Sequence, residues 1–567
     1  MEIQHILDEE VPLLSPLFQE KKLPTTIDDL EDGALLPGGA LDFTSPEALG
    51  LFVQFAAIGF VFTLIPALNY PIFNAYLQME GYQTSAYSVL VYMGLSFKLV
   101  YGMLSDCFPI CGYRRKSWIL IGWTIALVCL AMMAFVLPLG APFCDRSKTP
   151  YCHTPLARVP ASALPYFNLR APDQGALFIL LSMFVSMGYV IAECAVDAMI
   201  VQFGQREPLA SRGRLQTTAT AVRYLSGLPA LLLVAFGLNG TQYNGSFSFA
   251  LAPNVPYVVA LVPCVVAIVG CLVWVHEDRR HAADAAPSLS AWSTSLWTLL
   301  QKQAMWQICA VKFTHGLLVA VAATPLNPIK TMWAGVEPMT NSLMSLLGTA
   351  CFGGALLIVA RHGLHWDWRW TLVATNVAVL AMDATVILAT TWDVYRNQWF
   401  FACVTMFEFI PTNIALVVGS LFTVEMADVG TEGTVFGLLA SMANLTFPLS
   451  SVVYNYVDSF FDVTQDAIKA DTLAVRWDVT TVYLFSYGCK LAALVPLIWL
   501  PAQKPQLQVL KRNGVTSPVA GALVLIVIVA SLVLSTSSNL MAVFPATKCF
   551  RIAGGNGMTQ PSGWCAT

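Results

Sequence analysis

Apolar runs of about 20 residues recur along the whole chain, and they constrain the fold more than any other feature of the sequence. About 20 predominantly apolar residues are needed for an α-helix to cross the hydrocarbon core of a bilayer. The composition agrees, because 56% of the 567 residues are hydrophobic and only 11% are charged, whereas soluble domains carry about 25% charged residues. The sequence therefore predicts an all-α polytopic membrane protein.

The apolar runs predict thirteen membrane-spanning segments, in two groups of six followed by one appended segment. Their approximate bounds are 48–77, 84–104, 117–138, 175–201, 215–238, 256–275, 305–328, 340–360, 371–391, 398–424, 434–457, 480–500 and 518–536. The predicted organisation is a disordered cytosolic tail at 1–47, an N-terminal six-helix half at 48–275, a cytosolic linker at 276–304, a C-terminal six-helix half at 305–500, and a cytosolic segment, thirteenth helix and exoplasmic tail at 501–567.

The distribution of basic residues predicts the orientation in the membrane. With the N-terminus in the cytosol, Lys and Arg are more frequent in cytosolic than in exoplasmic segments, as the positive-inside rule requires. This orientation places two glycosylation sequons, at Asn239 and Asn244, in one exoplasmic loop. We therefore predict a multi-pass glycoprotein with a cytosolic N-terminus, in the plasma membrane or in an endosomal or vacuolar membrane.

Two pairs of cysteines lie in polar segments, whereas most of the 14 cysteines lie inside apolar runs or at their ends. Cys144 and Cys152 form one pair, and Cys549 and Cys565 form the other. Both pairs fall on the predicted exoplasmic side, where disulfides persist. We predict that each pair forms a structural disulfide.

The polar turn at 102–118, GMLSDCFPICGYRRKSW, is the most specific motif of the chain. It places Asp106 at the end of the second segment and the cations Arg114, Arg115 and Lys116 just before the third. A basic cluster that only sets membrane topology is the alternative interpretation of this turn. Further motifs occur as YVIAECAVDAMIV at 189–201, REPLASRGRLQ at 206–216 and EMADVGTEGTVFGLLASMAN at 425–444.

Together these motifs resemble the folate–biopterin transporters, a branch of the major facilitator superfamily. The turn at 102–118 is similar to the loop between helices 2 and 3 of that superfamily, and 189–201 is similar to helix 4 of the family. The resemblance implies a major facilitator fold of six plus six transmembrane helices, here with one extra C-terminal helix. It also implies that Asp106, Arg114, Arg115 and Lys116 form a gate that latches the two halves. The corresponding turn at 361–369 lacks an acid where helix 8 ends, so a symmetric latch is not expected.

Ionisable residues inside the membrane are costly, and they usually line a cavity or pair with one another. Lys98, Glu193 and Arg223 are predicted to lie at a similar depth, about two turns from the cytosolic surface. Glu193 is expected either to form a structural pair with Lys98 or Arg223 or to form the floor of a substrate cavity. Asp197 lies four residues further on the same helix face, and we expect it to join the gate by pairing with the Arg114–Lys116 cluster.

The second half contributes further candidates. Lys312 and His315 lie three residues apart on one helix face, and Glu408 is closer to the middle of the membrane. A histidine among such charges titrates near neutral pH, so His315 and Glu193 are candidates for proton coupling in a symporter. A packing role for His315 is the alternative. The predicted substrate-binding residues are Lys98, Glu193, Arg223, Lys312 and Glu408.

Prolines interrupt the first segment of each half at matching places, Pro66 and Pro71 in one and Pro325 and Pro328 in the other. Broken helices in transporters expose backbone that lines the substrate site. This correspondence predicts an inner pair of gating helices.

The resemblance implies alternating-access transport of a folate- or pterin-like small molecule. A carboxylate would accept the adjacent N–H donors of the pterin edge, and cations would bind the glutamate tail. Another organic anion or an amino-acid derivative remains an alternative substrate, and a non-transporting receptor or trafficking partner is the alternative from a different class. No nucleotide loop, metal cluster or nucleophile triad is present in the sequence, so we expect neither an enzyme nor a cofactor. The expected partners are the solute and membrane lipid, and no nucleic acid is expected to bind. We expect the protein to be a monomer.

Overall fold

The computed structural model describes residues 39–204, 206, 214–277, 288–362, 366–426, 432–560 and 562–565. Most of the predicted tail, at 1–38, and most of the charged part of the linker, at 278–287, lie outside the described residues. The described residues form helices joined by loops, and no strand of a β-sheet occurs among them.

The first part of the chain forms helices at the six positions where apolar runs were predicted. They are α1 (Pro46–Ala67), α2 (in three pieces, Gly81–Leu90, Met93–Ser96 and Lys98–Cys107), α3 (Lys116–Ala131), α4 (Ala171–Gly204), α5 (Arg214–Gly237) and α6 (Val255–Val273). A π-helix at Asn69–Tyr76 continues α1, and a shorter one at Met132–Val136 continues α3.

The second part repeats this plan. Its helices are α7 (in two pieces, Gln303–Val319 and Leu326–Met332), α8 (Pro338–His362), α9 (Trp368–Thr391), α10 (in two pieces, Gln398–Phe407 and Phe409–Met426), α11 (Glu432–Asp458), α12 (Leu473–Ala492) and α13 (Pro518–Val543). A helix at Leu289–Gln301 precedes α7 within the predicted linker.

Ten of the described helices are long and apolar enough to cross a membrane. The predicted segments 84–104, 305–328 and 340–360 are not among them, the first two because α2 and α7 are divided into shorter pieces. In α7 the second piece begins directly after Pro325, whose ring cannot donate the backbone hydrogen bond that a continuous helix requires. The breaks in α1 and α7 therefore occur near the prolines that predicted them.

The ends of the bundle differ in what they carry. We call the end with the loops 137–170 and 544–567 the disulfide end, because Cys144–Cys152 and Cys549–Cys565 are bonded there, each with a Cα–Cα distance of 5.5 Å. We call the opposite end, with the turn at 108–115, the linker end.

The thirteenth helix is part of the bundle, which corrects its description as an appendage. It packs along α2 and α11, where members of the two predicted halves meet. The tail that follows contacts both sides of this seam, because Lys548 pairs with Asp173 of α4 and Arg551 donates to the Ser459 carbonyl at 2.7 Å. One end of this extra helix is therefore tied to both halves.

Asn539 connects α13 to α11. Its side chain is fully buried, its Oδ1 accepts from the Ser451 hydroxyl of α11 at 3.0 Å, and its Nδ2 donates to the Pro448 carbonyl of α11 at 3.5 Å and to the Ser535 carbonyl of its own helix at 2.8 Å. Hydrogen bonds between transmembrane helices contribute about 0.6 kcal/mol on average and up to about 1.7 kcal/mol.

We predict that Asn539→Ala lowers the stability of the purified protein by about 1 kcal/mol, because the hydrogen bonds between the two helices are lost. Thermal unfolding in detergent measures this effect. Val533→Ala is the matched control, since Val533 lies on the same helix but 60% of its surface is exposed. Equal melting temperatures for wild type and Asn539→Ala would contradict the assigned role.

Candidate functional site

A central cavity of about 460 Å³ lies between the first and second groups of helices. Residues of α1, α2 and α5 line one side, and residues of α7, α8 and α10 line the other. Its polar walls are formed mainly by amide and hydroxyl groups of Asn69, Asn327, Asn341, Asn413, Thr63, Ser345 and Thr349. Its aromatic walls are formed by Phe62, Tyr70, Tyr92, Tyr224 and Phe409.

The charged side chains described in the lining of this cavity are all cations. Arg223 of α5 and Lys330 of α7 are its ionisable cations, and no acidic side chain is among the described residues that line it. A solute bound between the two groups of helices therefore meets cations, amides and aromatic rings. Such a lining is suited to a planar, polar ligand that carries negative charge.

Arg223 reaches the cavity from a buried ionic cluster, which we define as Lys98, Glu193, Asp197 and Arg223. Both Arg223 Nη1 and Lys98 Nζ bind the same oxygen of Glu193, Oε1, at 2.6 and 2.7 Å. Lys98 Nζ also lies 3.4 Å from Asp197 Oδ2. The cluster thus joins α2, α4 and α5 through one carboxylate, whose side chain is only 1% exposed.

The backbone places Arg223 by a close approach of α1 and α5. A Cβ atom at Gly59 would lie 1.9 Å from the carbonyl oxygen of Arg223, so only glycine permits this contact. The guanidinium carbon then lies 4.8 Å from the ring centroid of Phe62, at cation–π distance. A glycine on one helix therefore positions the cation of another.

Of the two roles expected for Glu193, the contacts of this cluster match the structural pair. The carboxylate ties three helices together, and Glu193 itself does not line the cavity, whereas its partner Arg223 does. Its second oxygen, Oε2, is buried without a hydrogen-bond partner among the described residues. Glu193 is therefore structural in this conformation, and Arg223 presents the charge to the cavity.

The basic turn at the linker end has a different partner from the one expected. Asp106 Oδ1 binds Arg114 at 3.0 Å and Arg115 at 2.5 Å. Glu277 accepts the backbone N–H groups of residues 114, 115 and 116 at distances from 2.9 to 3.0 Å. The expectation that Asp197 pairs with this turn is wrong, because Asp197 lies beside Lys98 and its side chain is 46% exposed.

Lys116 completes the contacts of this turn. Its Nζ donates to the carbonyl oxygens of Leu272 and Val275, at 3.1 and 2.8 Å, at the end of α6. The partners described for this basic turn thus come from 105–106 of α2 and from 272–277, where α6 ends and the predicted linker begins. Among the described contacts, the turn braces α2, α3 and α6, and its role as a latch between halves stays a prediction.

Lys312 and His315 line a second cavity of about 410 Å³, between α7, α10 and α11. Their predicted common face is therefore confirmed by the cavity. The Nδ1 atom of His315 lies 2.8 Å from the Ala493 carbonyl oxygen. Among the described residues only Leu416 borders both cavities, so the structure does not bring Lys312 to Arg223.

Glu408 lies at the junction between the two pieces of α10. The charges that act on it are Asp383 and Lys490, which form a pair of their own at 3.3 Å. Glu408 is not among the residues that line the central cavity, although the next residue, Phe409, is. Glu408 therefore belongs to a separate cluster in the second half, and its predicted part in substrate binding stays a prediction.

Lys330 was missed by the sequence analysis, although it is the cavity cation of the second half. The predicted segment ended at 328, whereas the second piece of α7 extends to Met332. The Nζ atom of Lys330 binds Asn341 Oδ1 and lies 5.2 Å from the ring centroid of Tyr70. The prolines at 325 and 328 were the signal that cavity-lining residues follow.

The cavity is closed at the disulfide end by direct contacts between the two groups of helices. Tyr70 donates to the Val336 carbonyl, and Asn74 donates to Thr331 Oγ1 at 2.5 Å. The N–H of Gln465 donates to Glu80 Oε2 at 2.9 Å in the loops. Burial raises the pKa of Glu80 to about 7.

The same closure explains the environment of the predicted glycosylation sites. Asn239 is fully buried, with its Oδ1 accepting from the N–H of Met339 at 3.0 Å. The amide nitrogen of Asn244, to which a glycan would attach, is also enclosed. A glycan at Asn239 is incompatible with this packing, so the predicted glycosylation of Asn239 does not fit the conformation described.

Solved structures of transporters share this fold. A D-xylose–proton symporter matches with a TM-score of 0.54 and 12% identity, over 80% of this chain and 97% of that chain. The inward-open xylose transporter XylE from E. coli matches with a TM-score of 0.51 and 11% identity, over 82% and 98% of the two chains. These identities show likeness of fold alone. The fold is that of the major facilitator transporters.

Comparisons of the sequence itself show a similarity to one kind of transporter. A family model described as the BT1 family matches residues 59–142. A folate-biopterin transporter from Synechocystis sp. is 22% identical over 442 residues, which are 76% of this chain and 77% of that protein. The resemblance to the folate–biopterin transporter family is thereby confirmed. The chain is a multi-pass membrane protein with the fold of transporters, it is similar in sequence to the BT1 family at 59–142, and the proteins that it resembles are transporters rather than enzymes.

We predict that Glu193→Ala destabilises the protein by about 3–5 kcal/mol, because it leaves two cations in the membrane interior without their shared carboxylate. Asp197→Ala is the matched control on the same helix, and it should cost about 1 kcal/mol or less, since its carboxylate is 46% exposed. Thermal unfolding of the purified variants measures both effects. Equal losses in the two variants would contradict the central place of Glu193.

Proposed function

We propose that this transporter moves folate- or pterin-like organic anions across the membrane by alternating access. The observation that carries the proposal is that the charged side chains described in the lining of the central cavity are all cations. Arg223 and Lys330 line it from opposite groups of helices, without an acidic side chain among its described lining. A cation in the membrane interior is costly and marks a functional site, and a negatively charged solute would neutralise it.

The remaining lining supports a flat heterocycle. Aromatic rings of both groups of helices, such as Tyr92 and Phe409, offer faces on which a pterin ring would stack. The amides of Asn69, Asn327 and Asn413 offer donors and acceptors to its edge. Amides take the place that the sequence analysis assigned to Glu193, since Glu193 is already bound by two cations. The relative from Synechocystis, a folate-biopterin transporter, supports the same class of solute.

The closed disulfide end supports the alternating part of the mechanism. Hydrogen bonds from Tyr70 and Asn74 to the second piece of α7 join the two groups of helices there. Transport requires these contacts to break while contacts at the linker end form, as the 48–275 half rocks against the 305–500 half. We propose that the disulfide end is exoplasmic, because disulfides persist on that side, and that the N-terminus is cytosolic.

Proton coupling through His315 is part of this proposal. Its Nδ1 faces a backbone carbonyl, which leaves Nε2 as the ring nitrogen able to exchange a proton with the second cavity. Glu193 is the weaker candidate, because two cations on its Oε1 stabilise the ionised carboxylate and its other oxygen, Oε2, is enclosed.

Two alternatives would use the same structure differently. Another organic anion, such as an amino-acid derivative, suits the cations of the cavity equally well. The choice of a folate- or pterin-like solute therefore rests on the similarity to the folate-biopterin transporter from Synechocystis. A receptor or trafficking partner that does not transport would have no need of a cavity lined by membrane-embedded cations such as Arg223. The cavity therefore favours transport over this second alternative.

We predict that cells expressing the chain take up radiolabelled folic acid saturably, and that excess biopterin competes with this uptake. Ser345→Trp should abolish uptake, because Ser345 lines the cavity and its hydroxyl bonds only to its own helix, at Asn341 O. The indole would occupy the space of the solute without removing a charge.

Val377→Trp is the matched control, since it adds the same indole on α9 at a position that is 45% exposed. Immunodetection at the membrane should show equal delivery of both variants. Unchanged uptake by Ser345→Trp would place the solute path outside this cavity. No uptake of folic acid or biopterin by delivered wild type would reject the folate and pterin proposal.

A further inference from the structure

We propose that Lys330 determines specificity by binding a carboxylate of the solute, so that it separates acidic pterin conjugates from neutral pterins. This inference rests on the function proposed above and deepens it. It assigns the acidic tail of the solute to the second piece of α7, and it leaves the ring to the aromatic and amide walls of the cavity. Arg223 then serves mainly to hold the shape of the site.

The two cavity cations differ in how far their charge is already neutralised. Arg223 forms a charge-assisted bond of 2.6 Å with the buried carboxylate of Glu193. Lys330 contacts the neutral groups Asn341 and Tyr70, and no carboxylate of the described chain lies within ion-pair distance of it. Lys330 therefore contributes the positive charge that a solute can still neutralise.

The immediate surroundings of Lys330 suit a carboxylate. Asn341 Oδ1 accepts from the ammonium, and the same amide group carries two N–H donors. An incoming carboxylate would replace this neutral acceptor on Nζ, and charge-assisted hydrogen bonds are about twice as strong as neutral ones. Asn341 and Asn327 both line the cavity and would donate to the second carboxylate oxygen.

Lys330 also lies within the contact that closes the disulfide end. The next residue, Thr331, accepts from Asn74 at 2.5 Å and lies 3.3 Å from the hydroxyl of Tyr70. The ring of that tyrosine faces the Lys330 ammonium. A carboxylate on Lys330 therefore acts on the same short helix that joins the two halves, so an acidic solute and a neutral one should differ in turnover as well as in affinity.

The test compares uptake of folic acid, which carries an acidic tail, with uptake of biopterin, which carries none, in cells that express wild type or Lys330→Gln. We expect folic acid uptake to fall about tenfold or more, as loss of a charge-assisted hydrogen bond implies. Biopterin uptake should stay within about twofold of wild type, because no carboxylate is lost. Lys330→Met is the second variant if Lys330→Gln is not delivered to the membrane.

Lys148→Gln is the matched control, since it makes the same change in a loop at the disulfide end, where the lysine side chain is 61% exposed. It should leave the ratio of folic acid to biopterin uptake at the wild-type value. Equal losses of both solutes in Lys330→Gln would overturn the inference in favour of a structural role for Lys330, and an unchanged ratio would overturn it as well. Wild type that transports neither solute would instead reject the proposed function, and the inference with it.

Discussion

The N-terminal side of the site depends on the ion pairs that the buried carboxylate of Glu193 forms with Lys98 and Arg223. Moving a charge into the membrane interior is tolerated when partners neutralise it, and here Lys98 and Arg223 both bind the same oxygen. The three side chains come from three helices, so the ionic cluster fixes how α2, α4 and α5 lie relative to one another. The ion pair with Glu193 fixes the guanidinium of Arg223 at the position where it lines the central cavity.

The C-terminal side of the site follows a different physical rule. Its cation stands on a short helix that starts after a proline, and that helix also carries the contacts closing the disulfide end. One side of the cavity is thus braced by buried charge, whereas the other is built on an interrupted helix. The thirteenth helix and its disulfide-bonded tail lie across α2 and α11 and contact both sides. A rocking motion must therefore accommodate this additional connection.

Local features predicted much of the architecture because each depends on neighbouring residues. Apolar runs of membrane length predicted the positions of the helices, and prolines 66, 71, 325 and 328 predicted where α1 and α7 break. Cysteines in polar loops predicted both disulfides, which join residues 8 and 16 apart in the chain. The motif at 102–118 carried the resemblance that the BT1 family match then confirmed.

Pairing between charges could not be predicted in the same way, because it depends on distances between helices far apart in sequence. Asp197 pairs with Lys98 rather than with Arg114–Lys116, and Glu277 takes the place expected for it at the basic turn. Glu408 lies near Asp383 and Lys490, and Lys312 lines the second cavity, so neither is among the residues that line the central cavity. The sequence by itself determined the helices, their order and the resemblance to a transporter family, since hydrophobicity and local motifs specify them. Only the tertiary structure decided which cations face the cavity, because helix packing turns Lys330 and Arg223 toward one space.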